Sequence, residues 1–314
     1  MWPAPGVSPR SNPPPRATIS PDPFRPFPSM NPYLDLIQQT VRLRTLGRSL
    51  PLGGLPDCPA IPIPGNAPVA LIFSPHPDDE CIVSGLALRL LRECRWRIVN
   101  VAVTQGSRKD RQTARLEELR NACRFLQFEL RTTVPGGLEK IQPRTRSEDP
   151  ERWQAAVAVI AALLAEYRPG VLFCPHELDW NSTHIGTHFL VLDALASLPP
   201  DFACHVVETE FWGQMPTPNL MVESRPEEVA DLMAACSFHI GEVQRNPYHL
   251  SQTAWMQDNV RRGGELVGGQ GQAAPDFHFA TLYRLRRWQS GSLVAPAPAG
   301  RYLDAVTRPD TLFS

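Results

Sequence analysis

At 314 residues with 42% apolar content, the chain is long enough to bury a sizeable α/β core. Thirty-one basic residues against 32 acidic ones leave a net charge of -1, which excludes a binder held to nucleic acid by phosphate neutralisation. No run of about 18 apolar residues is present for stable membrane insertion. The seven cysteines, odd in number and without a Cys-x-x-Cys pair, read as free thiols of a reducing, cytoplasmic compartment. The partner these features leave is a small molecule, and a homo-oligomer is compatible with them.

Residues 1–29 hold ten of the 34 prolines and no periodic pattern, so they read as a disordered N-terminal extension. Met30 is an alternative start, because the text changes there to NPYLDLIQQTVRLRTLGRSL, with Leu34, Ile37 and Val41 at helical spacing. Residues 30–66 thus combine a helical segment with a Pro/Gly-rich lead-in to a domain at 67–290, and 291–314 read as a C-terminal tail.

Within that domain, VALIFS (69–74) is a continuous apolar run of the kind buried on both faces of a parallel sheet. A polar loop and a helix at 81–94 follow. The alternation continues with a strand at 97–104, a helix at 111–127, a strand near 128–134 and a helix at 151–167. A strand at 170–175, a helix at 184–197 and a strand at 205–211 complete it. Such alternation predicts a single-domain α/β fold: a Rossmann-like, mostly parallel sheet with helices on both faces. The last hundred residues are less regular, with a helix at 226–239, a Gly-rich stretch, WMQDNVRRGGELVGGQG, and a closing strand FHFATLYRLRRW.

In open α/β sheets the chemistry sits beyond the carboxyl ends of the strands. The loop after the first strand reads Pro75-His76-Pro77-Asp78-Asp79-Glu80. One such polar residue is ordinarily a loop or a helix cap; four ionisable groups in five residues repel one another unless a cation sits among them. His76 and Asp79, three apart on a turn, can converge on one ion, which leaves Asp78 beside it and unligated. The loop after the 170–175 strand runs from His176 to His188 and opens a helix. His184 and His188, four apart, share a helix face and by spacing alone can chelate together, although a hydrogen-bonded helix histidine is the simpler reading of His188. Two imidazoles, one carboxylate and an open position for water form a catalytic zinc set, with Asp78 placed to take the water's proton.

Pro75-His76-Pro77-Asp78-Asp79-Glu80 resembles the signature of the LmbE-like, or PIG-L, family of zinc-dependent N-deacetylases, a similarity that extends more weakly over residues 67–286. The resemblance implies Zn²⁺ on His76 and Asp79, Asp78 as general base, and His184 as third ligand. Arg115, in Arg115-Leu116-Glu117-Glu118, matches a substrate-holding arginine of that family, with a helix-surface ion pair to Glu118 as the alternative. Two positions depart from the pattern. Asn181 stands where the family has a histidine that stabilises the tetrahedral intermediate and serves the leaving amine, and Thr104-Gln105-Gly106-Ser107 lacks a glutamate. Asn181 can donate a hydrogen bond to an oxyanion but cannot shuttle a proton. Either His176, His188 or His278 takes that part, or Asp78 acts as both base and acid, or catalysis is weak. His188 and Arg262 are further substrate-side candidates, the second on a Gly-rich wall.

The sequence therefore predicts a zinc hydrolase that removes an N-acyl group, N-acetyl in the family pattern, from an amino sugar or similar small conjugate. The competing readings are an amidase or esterase acting on another metabolite, and a degenerate relative that binds ligand without turnover.

Overall fold

The computed structural model describes residues 31–295 and 299–313; the reading of residues 1–29 lies outside them. One helix, α1 (Leu34–Gly47), belongs to a separate compact unit ending at Gly47 and buries none of its own residues. Everything after it forms the second unit. No helix among the described residues is long and apolar enough to cross a membrane.

The second unit runs β1 (Val69–Ser74), α2 (Asp79–Ile82), α3 (Gly85–Cys94), β2 (Arg97–Ala102), α4 (Gln112–Leu126) and β3 (Glu129–Thr132). Then come α5 (Pro143–Glu148), α6 (Pro150–Tyr167), β4 (Val171–Pro175), α7 (Ser182–Ala196) and β5 (Cys204–Thr209). It closes with β6 (Leu220–Glu223), α8 (Pro226–Ser237), α9 (Ile240–Arg245), α10 (Gln252–Gly268), β7 (Ala280–Gln289), β8 (Ser292–Val294) and β9 (Arg301–Leu303). The sheet order is β3-β2-β1-β4-β5-β7-β6-β9, with β8 paired to β7. The first five strands are parallel, and β7 joins them antiparallel. The fold is thus the mostly parallel, helix-flanked α/β sheet that the alternation predicts.

The alternating side-chain directions of β1 divide the core. Ala70 and Ile72 pack with α3, α4 and α8, whereas Leu71 and Phe73 pack with α6 and α7 on the other face. Both layers being filled explains why β1 reads as an unbroken apolar run.

The structure adds to the sequence reading and departs from it in places, α5 and α9 being short helices that reading did not include. The helix expected at 81–94 is two helices, because the Tyr283 hydroxyl is spliced into the break: it donates to the Val83 carbonyl (2.6 Å) and accepts from the Leu86 N–H (3.1 Å). The short first piece is what presents Asp79 at the end of β1. The Gly-rich stretch is helical as far as Gly268, forming the body of α10, where a Cβ on Gly263 would lie 2.7 Å from Met221 Cε and one on Gly264 2.8 Å from the Ala274 nitrogen. These glycines permit close packing rather than flexibility. Strand β6, four residues long, is too short to declare a period. Residues read as a tail carry β8 and β9, with Leu303 and Leu312 buried against the core.

Helix α7 is fixed by a close approach. A Cβ on Gly186 would sit 2.7 Å from the backbone nitrogen of Gln142 and closer still to the Ile141 carbonyl. Gly186→Ala is therefore expected to cost about 2–3 kcal/mol as α7 is pushed off its seat, a fall of roughly 5–10 °C in Tm by calorimetry. An unchanged Tm refutes this account of the contact.

Candidate metal centre

The site lies at the carboxyl ends of the adjacent strands β1 and β4. β1 delivers His76, the turn into α2 delivers Asp78 and Asp79, and the first turn of α7 delivers His184. Asp79 and His184 are buried, while His76 is partly open. Asp79 Oδ2, His76 Nδ1 and His184 Nε2 form a triangle with edges of 3.4, 3.3 and 3.2 Å. A tetrahedral ion with bonds of about 2.0–2.1 Å holds its donors roughly 3.3–3.4 Å apart. The donor set and its spacing thus fit Zn²⁺, and the structure brings together the three residues singled out in the sequence.

The electrostatics favour a cation at this point. Asp79 is held well below the ordinary carboxylate range, the cost of burial being overcome by His184 and then His76. Burial alone would lower His184; the carboxylates of Asp79 and Asp179 instead raise it to about 10. Asp179 is a residue whose part the sequence reading did not assign. Its Oδ1 lies 3.6 Å from His184 Nδ1 and accepts the Asn181 N–H (2.8 Å), and its Oδ2 accepts from the N–H of Trp212 (3.2 Å). A carboxylate behind a ligating imidazole orients the ring and strengthens it as a donor. The available signal is an acid five residues before His184 in the same loop.

Asp78 stands apart from the triangle. Its backbone is at φ 111°, ψ -28°, a region that costs a non-glycine residue of order 1–3 kcal/mol and persists only when the surroundings enforce it. Glu80, fully buried, accepts the Asp78 N–H (3.0 Å) and pairs with His239 (2.7 Å). The carboxylate is gripped as well: Tyr248 donates its hydroxyl to Asp78 Oδ2 at 2.6 Å, and Arg115 Nη2 lies 3.6 Å from the same oxygen while donating to the Pro77 carbonyl (2.8 Å). Burial, then the charge of Asp79, pushes Asp78 up to about 6. Tyr248, Glu80 and His239 are positioning residues that motif spacing does not reveal, because two of them lie some 160 residues away in sequence.

The other sequence candidates are placed differently. Arg115 adjoins Asp78 and Glu242 rather than pairing with Glu118, whose Oε1 accepts the Gly241 N–H (2.9 Å). Asn181 caps α7 by accepting the Thr183 N–H (2.8 Å), yet also lines a cavity together with His76. His188 is buried, its Nδ1 donating to the Pro175 carbonyl (2.9 Å) and lying 3.7 Å from Glu208. It stands outside the donor triangle. Arg262 is enclosed by Glu210, Asp258 and Asn259, and so does not form a substrate-facing wall. His176 has both ring nitrogens engaged: Nδ1 accepts the Leu178 N–H (3.2 Å) and Nε2 donates to the Gly213 carbonyl (2.8 Å). His278 is exposed on the approach to β7. None of the three histidines weighed as a replacement for the missing second-loop one lines the cavities that flank the triangle.

An open α/β sheet whose strand ends gather two imidazoles and a carboxylate, with a second carboxylate alongside, has the make-up of a metal-dependent hydrolase. Residues 71–195 match the PIG-L family, described as GlcNAc-PI de-N-acetylase. Similar solved structures include a 4-carboxy-2-hydroxymuconate hydratase from Pseudomonas putida, at 16% identity and TM-score 0.54, covering 74% of this chain and 99% of that one. The A40926 pseudoaglycone deacetylase aligns at 14% identity and TM-score 0.52, covering 72% and 99%. The N,N'-diacetylchitobiose deacetylase of Pyrococcus horikoshii aligns at 15% and 0.51, covering 82% and 94%. At these identities the structures share the fold. No curated protein sequence matches the chain.

Proposed function

We propose that the protein is a zinc hydrolase that removes an N-acyl group from an amino sugar or similar small amine. The observation that carries the reading is the donor triangle of His76, Asp79 and His184 with Asp78 held beside it but outside it. The match of residues 71–195 to the PIG-L family supports it. Bound there, Zn²⁺ supplies Lewis-acid polarisation of the amide carbonyl and acidification of water. The chain's own groups do the rest. Asp78 takes the proton of the attacking water, and its second oxygen stays fixed by the Tyr248 hydroxyl. With Asn181 in the second loop, the same Asp78 returns that proton to the departing amine, and the Asn181 amide, which lines the cavity beside His76, serves as hydrogen-bond donor to the oxygen that gains charge. All seven cysteines are unpaired, which supports a cytoplasmic setting.

Zinc-loaded and chelator-stripped protein assayed on N-acyl amino sugars tests the reading: turnover is expected only with metal, and inactivity of both sinks it. One observation favours a second reading. Asn181 stands where the family pattern has a histidine to protonate the amine, and an alcohol leaves with less protonation, so an esterase is the rival. Matched N-acyl and O-acyl compounds separate the two, amide hydrolysis favouring the first.

A further inference from the structure

Hydrolysis of an N-acetyl group needs room beside the metal for one methyl. The structure offers far more. A cavity of about 230 Å³ is walled by Ile82, Phe211, Trp212, Tyr248 and Trp255, with Ser251 and Gln252 as its further polar members. Two of these walls touch the centre itself: the Tyr248 hydroxyl is on Asp78, and the Phe211 ring lies edge-on to His184 with centroids 4.6 Å apart. Trp212 packs edge-on to Tyr248 at 6.0 Å. Gln252 Nε2 donates to the Cys81 carbonyl at 2.9 Å, and its buried Oε1 is left without a partner. Beyond that oxygen and Ser251, a hydroxylated ring seated among these aromatic side chains would find few partners for the hydrogen bonds it gives up to water, whereas hydrocarbon would gain from burial.

A second cavity, of about 480 Å³, reaches the centre through His76 and Asn181 and presents Ser107, Lys109, Gln112 and Glu139. The two linings share no residue. An amide has two sides, and the centre is flanked by one apolar and one polar space. We infer that, granted N-acyl hydrolysis at this centre, the polar amine side of the substrate occupies the second cavity and the aromatic cavity holds an acyl group much larger than acetyl. A void of roughly 150 Å³ accommodates benzene, so this cavity takes an aryl or medium-chain acyl group.

The test is a series of N-acetyl-, N-butanoyl-, N-hexanoyl-, N-octanoyl- and N-benzoylglucosamine with the zinc-loaded protein. Each methylene that enters the cavity is expected to raise kcat/KM about fourfold until the space is filled. Trp212 is 44% exposed, so Trp212→Ala removes a wall without emptying the core. That variant, and Trp255→Ala independently, is expected to lower the octanoyl-to-acetyl ratio of kcat/KM at least tenfold. Acetyl hydrolysed as well as the longer chains, or a ratio unmoved in both variants, overturns the acyl assignment and leaves the deacylase reading standing. Inactivity toward the whole series overturns both.

Discussion

Asp78→Asn is expected to lower kcat by roughly 10²–10⁴-fold, the usual range for removing a general base, with zinc content unchanged. The replacement has nearly the same shape, and Asn is among the few residues that tolerate positive φ, so the turn at φ 111° survives. Its amide still accepts the Tyr248 hydroxyl through oxygen, and Glu80 still takes the backbone N–H. What disappears is the capacity to carry a proton. Steady-state kinetics together with elemental analysis distinguish this from metal loss. Retained activity, or zinc lost in proportion to activity, would show that Asp78 is a ligand or a bystander.

His184→Ala is the second large effect: loss of bound zinc and of all measurable turnover. Two distant loops meet at this residue, and removing it does more than delete one donor. Asp79 and Asp179 both lean on the imidazole, on Nε2 and Nδ1 respectively, so its loss leaves two buried carboxylates facing a gap with no cation, a costly arrangement. His188→Ala, which removes a histidine outside the triangle, is expected to keep about one zinc per chain. Zinc retained in His184→Ala and lost in His188→Ala would reverse the assignment.

The parts of this molecule legible in its sequence are those encoded locally. The alternation of strands and helices from Val69 to Thr209 follows from period and apolar runs, and the clustering of His76, Asp78 and Asp79 follows from charge crowding. His184 was reached through its place after a strand and its match to the family motif. The unread parts depend on distance. The break between α2 and α3 is made by Tyr283, nearly 200 residues later, and the grip on Asp78 is made by Tyr248, 170 residues later. No window along the chain contains both partners of either contact. The glycines are unreadable for a related reason: Gly263 and Gly264 serve close packing against the Met221 side chain and the Ala274 backbone, neither of which a sequence pattern links to them.

The short strand β9 has a consequence for the behaviour of the whole sheet. β6 is almost wholly apolar and buried, and its outer edge pairs with Arg301–Leu303. The same terminal stretch is stitched inward by Arg89, which donates to the Thr307 carbonyl at 2.8 Å, and by the Ala305 N–H on Glu223. A brief, charged last strand is a poor template for another chain, whereas a bared β6 would be a good one. A protease that nicks the chain before Arg301 would thus leave the metal-bearing half of the sheet covalently intact and turn the opposite margin into a nucleus for aggregation.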